Sequence, residues 1–121
     1  TVSGNFSMTI KPKILVVCGR NKKRSRTAES IFKNDSRILI RSAGVSPKSN
    51  RKISENDIKW ADLILVMERE QQNRIKKLFS FVDFPKFETL DIPDEYEYMD
   101  DELIDILSIK INDIIQSIFN I

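Results

Sequence analysis

A single cysteine, Cys18, closes the apolar run Ile14-Leu15-Val16-Val17, and Arg24 follows after five intervening residues with Ser25 directly behind it. A C-x5-R-S pattern can form a phosphate-sized anion site with a nucleophile at its floor. Attack on phosphorus needs a thiolate, whereas an unperturbed cysteine titrates near about 8.5. A loop of backbone N–H groups running into a helix N-terminus favours negative charge on the sulfur. Lys23 and Arg24 act in the same direction, and the Ser25 hydroxyl can donate to the sulfur. The planar guanidinium of Arg24 can grip two equatorial phosphate oxygens and follow them into the transition state. Gly19, Arg20, Asn21, Lys22 and Lys23 give enough chain to wrap three oxygens. The competing reading of Cys18 is a buried thiol that merely ends a strand.

Phosphoryl transfer to sulfur also calls for an acid to protonate the leaving oxygen. With no histidine in the chain, a carboxylic acid must serve, and Leu90-Asp91-Ile92-Pro93-Asp94-Glu95-Tyr96 supplies several. Asp94, just after Pro93 in an expected turn, is one choice; Asp91 is the other. Most acids there are expected to form a solvated loop, with Asp100 capping the last helix. Asn21, in mid-loop, tolerates positive φ, and its side chain is expected to tie the loop to Ser42. Trp60, Tyr96 and Tyr98 are candidates to flank an aromatic substrate, with a core position the alternative for Trp60.

These residues need a scaffold, and the pattern indicates an α/β one. Residues 13–17 form a continuous apolar run, as in a strand buried on both faces of a parallel sheet. Ser25 reads as the N-cap of a helix over residues 26–33 with Ala28, Ile31 and Phe32 inward. A second strand is expected over residues 37–41, closed by Ser42-Ala43-Gly44, and the polar stretch 45–52 reads as a loop. Ser54 opens a short helix to Trp60 with Glu55 and Asp57 in its first turn, where the macrodipole favours acids. Leu63-Ile64-Leu65-Val66 is a third strand, residues 68–79 a charged helix, and residues 86–90 a weaker fourth strand. The longest helix, residues 100–118, carries a stripe of Leu103, Ile104, Leu107, Ile111, Ile114, Ile115 and Ile118. Alternating strands and helices predict a three-layer α/β/α domain on a short, four-stranded parallel sheet, flavodoxin-like in class. Ligands of such sheets bind beyond the carboxyl ends of the strands, where Cys18 stands.

Composition narrows the function further. The chain has 121 residues, 40% hydrophobic and 31% charged, which suits one soluble domain with a real core. Residues 13–121 are read as that domain. Residues 1–12 are read as an N-terminal extension, part of it a cloning remnant ahead of Met8, without the features of a secretory signal. No apolar run reaches the length of a membrane span, and one lone cysteine fits a cytoplasmic protein. The absence of histidine excludes Ser-His and Cys-His catalysis and His-ligated metals, and a single cysteine excludes a cysteine-cluster zinc site; no cofactor is expected. The net charge of +2 hides an asymmetry: residues 18–26 hold five cations and no acid, residues 91–105 eight acids and no base. A compact positive field suits a small anion such as inorganic phosphate or sulfate better than duplex nucleic acid.

Together these motifs resemble the low-molecular-weight protein tyrosine phosphatase family. Cys18-Gly19-Arg20-Asn21-Lys22-Lys23-Arg24-Ser25 matches its C-x-x-N-x-x-R-S loop, and Thr27-Ala28-Glu29 the opening of its first helix. Ser42-Ala43-Gly44 is similar to its strand-end serine motif. Ala61 to Met67 with Asn73 resembles its D-x-I-x-x-M…N segment, and Ile92-Pro93-Asp94-Glu95-Tyr96 its acid loop. The resemblance implies that Cys18 is the nucleophile, Arg24 the phosphate clamp and Asp94 the general acid, with Asn21, Ser25 and Ser42 as supports. It implies a metal-independent phosphatase that hydrolyses phosphomonoesters, phosphotyrosine on proteins among them, through a phosphocysteine. The chain departs from the family at Lys23, where a second cysteine is usual, so oxidised Cys18 has no local resolving partner. Arg26 and Glu95 stand where prolines are usual. The segment 45–61 is short and lacks the aromatic residue that in the family flanks a phosphotyrosine ring, and the chain most resembles a compact branch of the family. The competing readings are an arsenate reductase, which normally needs further cysteines, a phosphocarrier, and a non-catalytic anion-binding or nucleic-acid-interacting domain.

Overall fold

The computed structural model describes residues 11–121. The predicted extension therefore lies, apart from Lys11 and Pro12, outside the described residues. Eight elements alternate along the chain: β1 (Lys13–Cys18), α1 (Arg24–Phe32), β2 (Leu39–Gly44), α2 (Glu55–Trp60), β3 (Leu63–Val66), α3 (Arg69–Leu78), β4 (Lys86–Thr89) and α4 (Asp101–Phe119). The four strands form one parallel sheet in the order β2-β1-β3-β4.

The period of two in a strand divides β1 between two cores. Ile14, Val16 and Cys18 face one side, where Ala28 and Phe32 of α1 and Leu103, Leu107, Ile111 and Ile115 of α4 complete a buried cluster. Leu15 and Val17 face the other, against Ile58 of α2 and Ile75 of α3. Burial on both faces explains why β1 reads as an unbroken apolar run, and the expected three layers follow. The helix ends obey local chemistry. Ser54 and Asp57 form a reciprocal capping box on α2, and the Asp100 carboxylate accepts from the amides of Glu102 and Leu103 at the start of α4.

Two local expectations are corrected. The second strand is Leu39–Gly44, not residues 37–41: Ser42, Ala43 and Gly44 continue it, pairing with Val16, Val17 and Cys18. The Arg37 amide and guanidinium instead turn back on the Asp35 carboxylate. Helix α1 begins at Arg24, and Ser25 is no N-cap; Lys23 holds that position without a capping side chain. Ser25 is fully buried and turned toward Cys18.

From β1 the chain goes to β2 on one side and then crosses to β3 on the other. The carboxyl end of β1 is thus a topological switch point, where the diverging connections leave a crevice. No helix among the described residues is long and apolar enough to cross a membrane.

Candidate active site

Cys18 ends β1 with 3% of its surface exposed, and the loop 19–23 curls above it into α1. The outer side of this loop is fixed by the segment after β2. The carbonyls of Cys18, Gly19 and Arg20 accept from the amides of Val45, Ser46 and Asn50 at 3.1, 2.9 and 3.1 Å. The Asn50 side chain donates to the Asn21 carbonyl at 3.1 Å. With four successive carbonyls held outward, the N–H edges of the same peptides turn toward the cleft. Gly44 permits this approach, because a Cβ there would stand 2.8 Å from both the Arg20 carbonyl carbon and the Asn21 nitrogen.

The sulfur itself is surrounded by donors. The Asn21 amide donates to Cys18 Sγ at 3.2 Å, and Ser25 Oγ lies 2.9 Å from it. Asn21 Nδ2 donates to that same Oγ at 2.9 Å, so the Ser25 oxygen is occupied as an acceptor and its proton is free for the sulfur. Asn21 takes the expected left-handed backbone, with φ of 53°. Its partner is Ser25 rather than Ser42, a correction. The Ser42 hydroxyl donates instead to Glu29 Oε1 at 2.5 Å, which ties β2 to α1 and leaves Ser42 outside the loop's own bonds.

Arg24 is 4% exposed and its orientation is strongly constrained. Its Nη1 donates to Glu68 Oε1 at 2.8 Å and to the Ile92 carbonyl at 2.7 Å, while Nε lies 3.8 Å from Asp94 Oδ1. The chain beyond β4 reaches this point by continuing over the end of β3: Leu90 and Ile92 donate to the carbonyls of Val66 and Met67, and Asp91 turns with φ of 56°. Asp94 thereby arrives in the cleft with Cys18, and Asp91 does not. The cleft, about 450 Å³, is lined by Cys18, Gly19, Arg20, Lys22, Lys23, Arg24 and Asp94. Four cations and one acid give it a net positive field suited to a small anion. Among the described residues no group of acids and cysteines is placed to hold a metal ion.

The aromatic candidates do not join this group. The Tyr98 hydroxyl shares a 2.8 Å hydrogen bond with Ser30 and its ring lies under Arg26, at a separate groove beside α1. Tyr96 packs on the core, and its phenol is pushed above the usual range by desolvation and by the nearby Glu102, Glu95 and Asp100. Trp60 belongs to the opposite face of the sheet, with the Arg41 guanidinium 4.1 Å from its ring centre. Two elements of the site escaped the reading of the sequence. Glu68 holds Arg24, and the stretch 45–50, taken for an ordinary polar loop, fixes the outer side of the loop 19–23. Glu68 stands just past β3, and only the pairing of β3 with β1 brings it to Arg24.

No family model matches the chain, and no curated protein matches it by sequence. Solved structures do match. A low-molecular-weight protein tyrosine phosphatase from Streptococcus pyogenes superposes with a TM-score of 0.72 at 18% identity, over 88% of this chain and 93% of its own. The fold is that of the low-molecular-weight protein tyrosine phosphatases. The YwlE arginine phosphatase from Geobacillus stearothermophilus gives 0.66 at 22% identity, over 88% and 94%. The Wzb tyrosine phosphatase from Escherichia coli K30, solved in complex with phosphate, gives 0.63 at 19% identity, over 90% and 99%. Each shares nearly the whole of this chain's architecture.

Proposed function

We propose that this protein is a cysteine-dependent phosphatase that hydrolyses phosphomonoesters without a metal ion and belongs to the low-molecular-weight protein tyrosine phosphatases. One observation carries the reading: Cys18 Sγ accepts from the Asn21 amide at 3.2 Å and meets Ser25 Oγ at 2.9 Å, in a cleft that also presents Arg24 and Asp94. A core thiol needs neither polar partners nor a cationic cleft. Phosphate or sulfate would occupy the loop, its oxygens held by the inward N–H edges and the Arg24 guanidinium.

In the first step the Cys18 thiolate attacks phosphorus, the S–P bond forms, and the bond to the ester oxygen breaks. Asp94 gives its proton to that departing oxygen. In the second step water attacks the phosphocysteine, Asp94 takes its proton, and the S–P bond breaks to release phosphate and restore the thiolate. Arg24 and the loop amides hold the equatorial oxygens through both transfers. The buried Ser25 hydroxyl stabilises the sulfur as it leaves. Phosphotyrosine on proteins is the substrate class the family resemblance brings, and a cytoplasmic setting suits an unpaired cysteine.

The test is release of phosphate from 4-nitrophenyl phosphate with a chelator present. Activity is expected from the wild type and lost in Cys18→Ser; turnover that survives this substitution sinks the reading.

A further inference from the structure

Resting on that phosphatase reading, the cleft has more positive charge than one phosphoryl group engages. Arg24 is engaged by Glu68, Ile92 and Asp94, and Lys23 forms a 3.0 Å ion pair with Glu97. Arg20 and Lys22 line the same cleft, are exposed, and make no ion pair with any described acid. Residues 1–10 contain no acid either. Asp94 is the one acid among the residues that line the cleft, and it lies against Arg24. An additional anionic group on a bound phosphomonoester is therefore drawn to Arg20 and Lys22.

The cleft also lacks what a plain aryl phosphate would use for selectivity. No aromatic ring lines it among the described residues: Tyr98 is bound to Ser30, Tyr96 packs on the core, and Trp60 is on the other face. We infer that the substrate is a phosphomonoester carrying a second anionic group, a carboxylate or phosphate beside the scissile phosphoryl, and that Arg20 and Lys22 recognise it. An acidic residue flanking a phosphorylated side chain and a small molecule with two anionic groups both supply this chemistry.

Two matched pairs of probes distinguish these sources. One pair is phenyl phosphate and 3-carboxyphenyl phosphate; the other is a phosphotyrosine peptide flanked by Asp and Glu and its Asn and Gln counterpart. The anionic member of at least one pair is expected to show roughly tenfold higher kcat/KM, as suits two partly screened charge pairs. The preference should shrink toward parity in Arg20→Gln/Lys22→Gln and in Lys22→Gln alone by about half on a logarithmic scale. It should also fade as salt is raised from 50 to 500 mM, since screening then acts within a few ångströms. A preference in the peptide pair alone assigns the second anion to a protein, and one in the aryl pair alone to a small molecule. Equal rates within both wild-type pairs, or a preference that survives the double substitution, would overturn the inference and leave the phosphatase reading intact. If no probe is hydrolysed, the phosphatase reading fails. The cation pair is then judged by binding of the same probes to Cys18→Ser, where equal affinities within each pair overturn it.

Discussion

Glu68 Oε1 accepts from Arg24 Nη1 at 2.8 Å, and the Ile92 carbonyl accepts from the same nitrogen at 2.7 Å. With one end of the guanidinium fixed, the Nε side is turned toward Asp94 and the cleft. The guanidinium is therefore already oriented, and in the proposed phosphatase such preorganised donors would lose little on binding.

Removing Glu68 tests this. Glu68→Ala leaves Nη1 with the carbonyl alone, and kcat/KM for 4-nitrophenyl phosphate should fall by roughly threefold to tenfold, within the energy of one hydrogen bond to a charged group. Glu68→Gln still accepts from Arg24 and should recover most of the loss. Equal losses in both variants would point to the charge of Glu68 rather than to its hold on the guanidinium.

Asp94 lies 3.8 Å from Arg24 Nε with its side chain 66% exposed, free to meet a leaving oxygen from the solvent side of the cleft. Asp94→Ala should lower kcat by about a hundredfold or more for phenyl phosphate, the usual range for a lost general acid. KM should change far less. A leaving group that departs without a proton, as 4-nitrophenol does, should show a smaller loss. Asp91→Ala, outside the cleft, should leave both parameters near wild type, as steady-state kinetics on the two esters will show.

Gly44 sets the height of the loop 19–23 above β2. A methyl group there meets the Arg20 and Asn21 backbone at 2.8 Å, which cannot swing aside as a side chain can. Gly44→Ala should destabilise the protein by about 1–3 kcal/mol, the usual cost of overpacking, and should lower phosphate affinity by moving the loop. Gly19→Ala meets nothing within 4 Å and should unfold at nearly the wild-type urea concentration. Urea titration with and without phosphate separates the two effects.

The sequence revealed what is local or periodic. Two-faced burial made β1 a plain apolar run, and Ser54 and Asp100 announced their helices because capping uses residues two or three apart. Asn21 was legible for its backbone, since few other residues accept its φ. What stayed hidden depended on pairing across the sheet. Ser25 looked like an N-cap because its preference for that place is local, yet a bond to a sulfur seven residues away prevailed. Ser42-Ala43-Gly44 read as the close of the second strand until β1 supplied its ladder partners. Glu68 had no signal of its own: its meaning comes from β3 lying beside β1, which only the strand order provides.

Away from the cleft, Asp35 and Arg37 brace the turn between α1 and β2, with Arg37 Nη2 2.7 Å from Asp35 Oδ2 and 2.6 Å from Asn112 Oδ1 of α4. Hydrogen bonding to the Arg37 side chain holds the Asp35 carboxyl below the ordinary carboxylate range, against an opposing effect of partial burial. The folded state thus releases the Asp35 proton more readily than the unfolded chain does. The stabilisation is fully present above the unfolded value of about 3.9 and fades as pH falls through the lower folded value. Partial exposure of the pair limits the effect to about 1 kcal/mol. Asp35→Asn should accordingly be less stable than wild type in urea at pH 6. At pH 2.5 that difference should be reduced, because below about 3.9 the unfolded wild-type chain takes up a proton at Asp35, which favours unfolding. A difference that stays constant or grows between these two pH values would show that the Asp35 charge does not stabilise this turn.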